Sequence, residues 1–343
     1  MPGFCVGGVR QQQGFTNFYR DIKKERHTMT QQFLFQITFL LPLGCLVGIF
    51  FVLRRRGILR LFGIVLALVF FVVVYARFVE PHILIARHHN LSLSSQNLLP
   101  ETEAVDVRIA VFSDPHIGVF KNHVSLERIV KTVETSGADL VLVPGDWVYH
   151  ATDDQIKDHF RHLSELSAPV FAVLGNHDVG FPGPDASSIV ISELRRQGVH
   201  LVENKSQEVI IRDGCRIVVA GVSDLWQDRQ DFKFEKTLPD DAPTILVTHN
   251  PDTVMHVPSS LKYDLMVAGH THGGQIRIPI LYNTRIPTDL QFDKDLHYFQ
   301  TLDGTRPVFV SAGTGMVVLP FRLFVPPRVD ILDLRLSRAA ADC

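Results

Sequence analysis

Between Val107 and Ala268 the chain repeats one unit, a short run rich in Val, Ile and Leu followed by a more polar stretch. The runs are Val107–Phe112, Leu140–Val143, Val170–Leu174, Ile217–Val222, Ile245–Val247 and Leu265–Ala268. Runs this short and continuous read as strands buried on both faces, the habit of parallel sheets. Among the segments between them, Val124–Thr135, Asp153–Leu166 and Ala186–Gln197 carry apolar residues at helical spacing. Alternation of the two patterns predicts an α/β domain with a substantial sheet.

Five of these runs lead into chemically similar residues. Val107–Phe112 leads into Asp114 and His116, Leu140–Val143 into Asp146, and Val170–Leu174 into Asn176, His177 and Asp178. Ile245–Val247 leads into His249, and Leu265–Ala268 into His270 and His272. In open α/β sheets, sites form at the carboxyl ends of the strands. Each residue alone has a bland account: Asp114 or Asp146 as a helix cap, Asn176 as a turn residue, His249 as a loop histidine. Together they bring oxygen and imidazole donors to one sheet edge, which packing does not require. His270 and His272 stand two apart, so a strand's exit aims both rings at one spot. A donor set without thiolate suits Mn, Fe, Zn or another borderline divalent ion, not a structural cysteine-zinc site. Cys5, Cys45, Cys215 and Cys343 are scattered and imply neither such a site nor a disulfide framework.

The N-terminal third differs. Phe33 to Leu53 is apolar except for Gln36 and Thr38, and Leu61 to Ala76 carries no charge. About 20 such residues cross a bilayer as a helix, so the pair predicts two transmembrane helices, 33–53 and 61–76, after a polar tail of residues 1–32. Arg54, Arg55, Arg56 and Arg60 lie between the runs. The positive-inside rule keeps such a cluster cytoplasmic and sends everything after Arg77 to the other side. Arg10, Arg20, Lys23, Lys24 and Arg26 in the tail also favour the cytoplasm, a conflict that a start at Met29 removes. Arg55-Arg56 before the second run also looks like a twin-arginine export signal, with the same outcome. Residues 77–106 read as a juxtamembrane linker, with His88 and His89 solvated, and 107–343 as the catalytic domain. A formal net charge of −2 argues against a nucleic-acid partner.

In their order, Asp114-x-His116, Gly145-Asp146, Gly175-Asn176-His177-Asp178, His249 and Gly269-His270-x-His272 resemble the calcineurin-like metallophosphoesterase superfamily, from about Val107 to Leu336. The resemblance implies a four-layer α/β/β/α sandwich. It implies that Asp114, His116 and His272 hold one metal, that Asn176, His249 and His270 hold the other, and that Asp146 bridges them. Two divalent ions, Mn²⁺ first and Fe or Zn as alternatives, would make hydroxide available to attack phosphorus in line. His177 would be the catalytic acid at the leaving oxygen. Asp178 either orients His177 or takes an exposed capping role. Many members carry an acidic residue shortly after the Gly-Asp block, where this chain has Trp147, Val148, Tyr149 and His150.

Gly221–Trp226, His249–Asp252, Gly269–Gln275 with Arg277-Ile278-Pro279, and Pro320–Leu323 with Pro326-Pro327 resemble a bacterial membrane-associated or exported phosphodiesterase branch. That branch includes enzymes similar to the UDP-2,3-diacylglucosamine hydrolases of lipid A biosynthesis. The expected protein is a phosphodiesterase or pyrophosphatase of the bacterial inner membrane, acting on a lipid-linked or nucleotide-type phosphoester. A UDP-lipid would be met on the cytoplasmic face, against the expected topology, so it stands as one alternative. A metal-binding scaffold without catalysis is the reading from another class, and the complete ligand pattern argues against it. Phe321, Leu323, Phe324 and Val325 are either an apolar lip for an acyl chain or ordinary edge packing. Arg277, Arg285 and Lys294 are either phosphate contacts or a solvated face.

Overall fold

A computed structural model of the chain describes residues 28–93, 104–121, 124–211, 214, 216–239, 242–279, 286–302 and 304–337. The expected tail up to residue 27, linker residues 94–103, Cys215, Arg285 and Cys343 lie outside the described residues.

Two helices open the described chain, α1 (Thr28–Arg54) and α2 (Ile58–His82), each long and apolar enough to cross a membrane. Both overrun the expected spans, and residues 28–32, expected in the polar tail, are already helical. They pack as an antiparallel pair with glycine at the contact. A Cβ on Gly48 would come 2.8 Å from the Ala67 backbone nitrogen, and one on Gly44 would strike the Phe70 ring. The Gly44-x-x-x-Gly48 spacing thus allows the close backbone approach typical of helix pairs in lipid. Most of the outward side chains are large and apolar: Leu43, Leu46, Ile49, Leu61, Val65 and Leu68 are all exposed. A soluble protein rarely leaves so much apolar surface uncovered.

The rest of the described chain is a mixed α/β body built on two six-stranded sheets. The first contains β1 (Ile85–Leu93), β2 (Ala104–Val111), β4 (Leu140–Val143), β6 (Val170–Ala172), β7 (His200–Leu201) and β14 (Arg328–Ser337), in the order β1-β14-β2-β4-β6-β7. The second contains β8 (Lys205–Ile210), β9 (Arg216–Gly221), β10 (Thr244–Val247), β11 (Leu265–Ala268), β12 (Asp295–Thr301) and β13 (Gly304–Val310), in the order β12-β13-β11-β10-β9-β8. A small parallel pair, β3 (Ile117–Gly118) and β5 (Val148–Tyr149), sits beside them. Strands β2, β4, β6 and β7 run parallel, as do β9, β10, β11 and β13.

Three apolar clusters fix the layers. Ile109, Leu142 and Phe171 of the first sheet meet Val219, Val247, Val267 and Phe309 of the second in one fully buried cluster. The other face of the first sheet is covered by α3 (Leu126–Ser136), α4 (Asp153–Phe160) and α5 (Ser187–Arg196), through Ile129, Val133, Ile156, Phe160, Val190 and Leu194. The outer face of the second sheet packs on Val254, Val257, Leu261 and Phe234, which come from short 3-10 turns and loops. Helix α4 starts at a capping box in which Thr152 and Gln155 satisfy each other's backbone N–H groups.

The six expected strands are all present, with ends moved by up to two residues except in β2, which begins three residues earlier. Two expectations need correction. Asp153–Leu166 is an α-helix only to Phe160 and then tightens into a 3-10 turn over Arg161–Glu165. Residues 77–106 are not a plain linker: Ile85–Leu93 forms a strand paired with β14, from Ile85 opposite Arg328 to Leu93 opposite Leu336. His89 is not solvated either, since its Nε2 lies 3.0 Å from the buried Asp330 carboxylate.

Candidate metal centre

The carboxyl ends of β2, β4, β6, β10 and β11 converge, and each delivers its polar residues to one place. Asp114, His116, Asp146, Asn176, His249, His270 and His272 are all buried. Six of them offer atoms in two groups that could hold a metal ion, Asp114 with His116 and His272, and Asp146 with His249 and His270, and Asn176 Oδ1 lies beside the second. In the first group His116 Nε2 lies 3.0 Å from His272 Nε2, and His272 Nε2 lies 3.5 Å from Asp114 Oδ1. In the second, His249 Nε2 lies 3.1 Å from His270 Nδ1 and 3.0 Å from Asn176 Oδ1. One oxygen, Asp146 Oδ2, stands 3.4 Å from His116 Nε2 and 3.3 Å from His249 Nε2, between the two groups.

The local backbone shows why these strands end abruptly. Asp114, His116, Asp146, His270 and His272 all have positive φ, from 45° to 70°. Side chains other than glycine's rarely hold that conformation, and such strain gathers at functional sites. Gly175 precedes Asn176 because nothing larger fits: a Cβ there would run into the Asp146 carboxylate. The turns are tied by backbone donors. His270 N–H donates to Asp114 Oδ1 at 3.1 Å and His177 N–H to Asp146 Oδ1 at 2.9 Å, which orients both carboxylates.

The donors fit divalent cations. Imidazole ligates in its neutral form, and burial pushes His116 and His270 down to about 3 and holds His272 well below the ordinary imidazole range. Among the described residues, buried His270 Nε2 has no hydrogen-bond partner. His249 is the exception: burial would lower it, but the Asp146, Asp114 and Asp224 carboxylates outweigh burial and draw it up to about 10. The same concentration of negative charge favours a cation. Burial raises Asp146 in turn, yet the surrounding His249, His177 and His116 hold it well below the carboxylate range.

His177 lies at the rim, its ring 5.1 Å from that of His116 and 5.0 Å from that of Tyr149. Asp178 takes neither expected role. It is fully buried, and its oxygens accept from Val148 N–H at 3.0 Å and Gly175 N–H at 2.9 Å, so it joins two of the ligand loops. Burial, aided by the Asp146 charge, pushes its carboxyl up to about 8. Arg277 is ion-paired to Asp293 at 2.5 Å and Lys294 to Asp295 at 2.8 Å. Of the four residues considered for an apolar lip, Leu323 and Val325 are buried and Phe324 is exposed, while Phe321 is half-buried.

Three neighbours escaped the sequence reading. Tyr149 packs edge-on against His116, Trp226 stands edge-on to His270 at 4.5 Å, and Arg322 lies fully buried with its guanidinium 3.5 Å from His272 Nδ1. Arg322 also donates to the carbonyls of Ala312, Gly315 and Val325. Their only signal was proximity to the blocks in sequence, in Tyr149 after Asp146 and in the Gly221–Trp226 and Pro320–Leu323 segments.

The sequence profile of the family described as calcineurin-like phosphoesterase matches residues 107–274, the span that holds all of these candidate ligands. YkuE of Bacillus subtilis strain 168, described as an uncharacterized metallophosphoesterase, is 28% identical over 272 residues, 76% of this chain and 89% of its own. Phosphodiesterase YaeI of Escherichia coli K12 is 28% identical over 265 residues, 76% of this chain and 92% of its own. Among solved structures, GAP50, the anchor in the inner membrane complex of Plasmodium, overlaps 64% of this chain and 76% of its own at 12% identity and a TM-score of 0.34, too slight a likeness to bear on the site. Residues 107–274 are therefore a calcineurin-like metallophosphoesterase domain, and the family and the names of its relatives support a metal-dependent phosphoester hydrolase.

Proposed function

We propose that this chain is a membrane-anchored two-metal phosphodiesterase or pyrophosphatase. The observation that carries the reading is the single Asp146 oxygen within 3.4 Å of a ligand nitrogen in each group. Asp114, His116 and His272 would hold one cation, Asn176, His249 and His270 the other, and Asp146 would contribute to both. When bound, two such ions lower the pKa of water to the neutral range and neutralise charge on the phosphoryl oxygens. The donor set accepts Mn²⁺, Fe or Zn, with Mn²⁺ our first choice. The layers support reading residues 107–343 as the four-layer α/β/β/α sandwich, extended at its edge by β1.

The chain's own residues do the rest. Asp178, fastened to both Val148 and Gly175, keeps the Asp146 and Asn176 loops in register. His177 has its backbone bound to Asp146 and its ring at the rim, placed to give a proton to the leaving oxygen. Complete ligands and this acid favour catalysis over a metal-binding scaffold.

α1 and α2 support an anchor in a bacterial inner membrane, with the arginine turn at Arg54–Arg56 cytoplasmic and the catalytic body on the other side. An anchor raises the concentration of site and lipid at one surface, which favours a lipid-linked phosphoester. A UDP-diacylglucosamine substrate of lipid A synthesis is the second reading, supported by the branch resemblance and opposed by the topology.

The test is metal removal from the full chain in detergent, followed by Mn²⁺ and a comparison of bis-p-nitrophenyl phosphate with p-nitrophenyl phosphate. Metal-dependent turnover favouring the diester is expected. Preference for the monoester overturns the diester assignment, and two bound metals without turnover of either favours the scaffold.

A further inference from the structure

The two helices are attached to the body at the metal centre's own border. The Arg322 N–H donates to the Ala76 carbonyl at 2.9 Å, and the Val325 N–H to the Glu80 carboxylate at 2.6 Å. Both acceptors belong to the last turns of α2. On the other helix, Phe35 stacks on Phe120 at 5.8 Å, and Phe120 packs against Tyr149 at 5.5 Å. Tyr149 in turn touches the His116 and His177 rings and is hydrogen-bonded to the backbone of Val318. Residues 317–325 are therefore held between the helix ends and the site.

That segment carries apolar side chains in the open. Val318 is 58% exposed, Leu319 41% and Phe324 62%. Val318 and Phe324 hold positive φ, which turns them out of the chain's run while Leu323 and Val325 between and beside them stay buried. An exposed apolar cluster on a folded body marks an interaction site. Depth identifies the occupant: the end of a bilayer-crossing helix lies at the lipid–water boundary, and a segment hydrogen-bonded to that end lies at the same level.

Resting on the anchored reading above, we infer that residues 317–325 enter the lipid–water interface through Val318, Leu319 and Phe324, so that the metal centre opens at the membrane surface. A phosphoester whose apolar tail remains in the bilayer then reaches the metals without leaving it. Trp226 and Phe181, exposed and 6.3 Å apart, extend the apolar rim past His270.

The test uses the full chain in phosphatidylcholine vesicles whose acyl chains carry bromine near the headgroup, which quenches tryptophan only at close range. In a Trp226→Phe background the remaining native tryptophan, Trp147, is fully buried. Single tryptophans are then introduced as Phe324→Trp and, as a second probe of the segment, Leu319→Trp. Leu46→Trp reports the helix itself, and Ile210→Trp reports the far edge, since Ile210 is exposed opposite Arg216 at the start of β9, away from the site. The expected result is loss of fluorescence at 324, 319 and 46 but not at 210. Loss at 46 with none at 324 or 319 overturns the inference and leaves the anchor intact. No loss at 46 overturns the anchored reading and this inference with it, and equal loss at 210 overturns the selective contact.

Discussion

The site's chemistry rests on a few residues that cannot be exchanged for their nearest analogues. His177 is the only proposed catalytic group that is not a ligand. His177→Ala should reduce turnover by about 10²–10⁴-fold with a poorly leaving alkoxide and far less with an activated nitrophenolate, because only the former needs a proton. Equal loss for both, in steady-state kinetics with paired substrates, would contradict the acid assignment. Gly175 carries no chemistry yet is as constrained: any Cβ there meets Asp146. Gly175→Ala should weaken metal binding by about 10–100-fold, the range for disturbed ligand supports, read by metal titration. The convergence of the candidate ligands was legible because Asp, Asn and His at strand ends have no packing reason to be there. Tyr149, Trp226 and Arg322 were not, since an aromatic or arginine becomes part of a site only through neighbours distant in sequence.

At the scale of elements, the segment after His272 is closed by an ion pair. Arg277 meets Asp293 at 2.5 Å, and the Thr271 hydroxyl donates to the Asp293 carbonyl. Burial raises the Asp293 carboxyl, but the His297 and Arg277 hydrogen bonds outweigh burial and hold it well below the carboxylate range. A depressed folded pKa contributes stability above the unfolded value of about 4 and loses it as pH falls through the folded one. Asp293→Asn should therefore melt below the parent at pH 7, and the gap should close as the pH drops below about 4. A gap that widens in acid would refute this. The same region shows the limit of the sequence reading. Buried strands such as β4 and β11 announce themselves as unbroken apolar runs, whereas β1, β12 and β14 mix His, Asp, Arg and Gln into their strands. Their polarity is met by cross-strand partners such as Arg108 with Asp333 and His89 with Asp330, which no local pattern reveals.

Across the whole molecule, one geometry links the helix pair and the candidate centre. The helix hairpin joins the body at Ala76, Glu80 and Phe35 and turns at its far end through Arg54–Arg56. If the arginine turn is cytoplasmic, a reporter fused after Cys343 should be active in the form that matures outside the cytoplasm and silent in the form that needs the cytoplasm. The reverse pattern would invert the topology and move the UDP-lipid reading to first place. The two apolar helices were legible from length and composition alone, while their seating against the catalytic border was not, because it depends on Arg322 and Val325 more than 240 residues after the helix they bind.

The proposed chemistry depends on one carboxylate, that of Asp146, shared between two metals. It is tested most directly by counting Mn²⁺ per chain in the parent and in Asp146→Asn, on protein stripped and reloaded, with bis-p-nitrophenyl phosphate turnover followed in the same samples. Two ions and turnover in the parent, with loss of the pair and of turnover in Asp146→Asn, is the predicted result; two ions with unchanged turnover in the variant would contradict it.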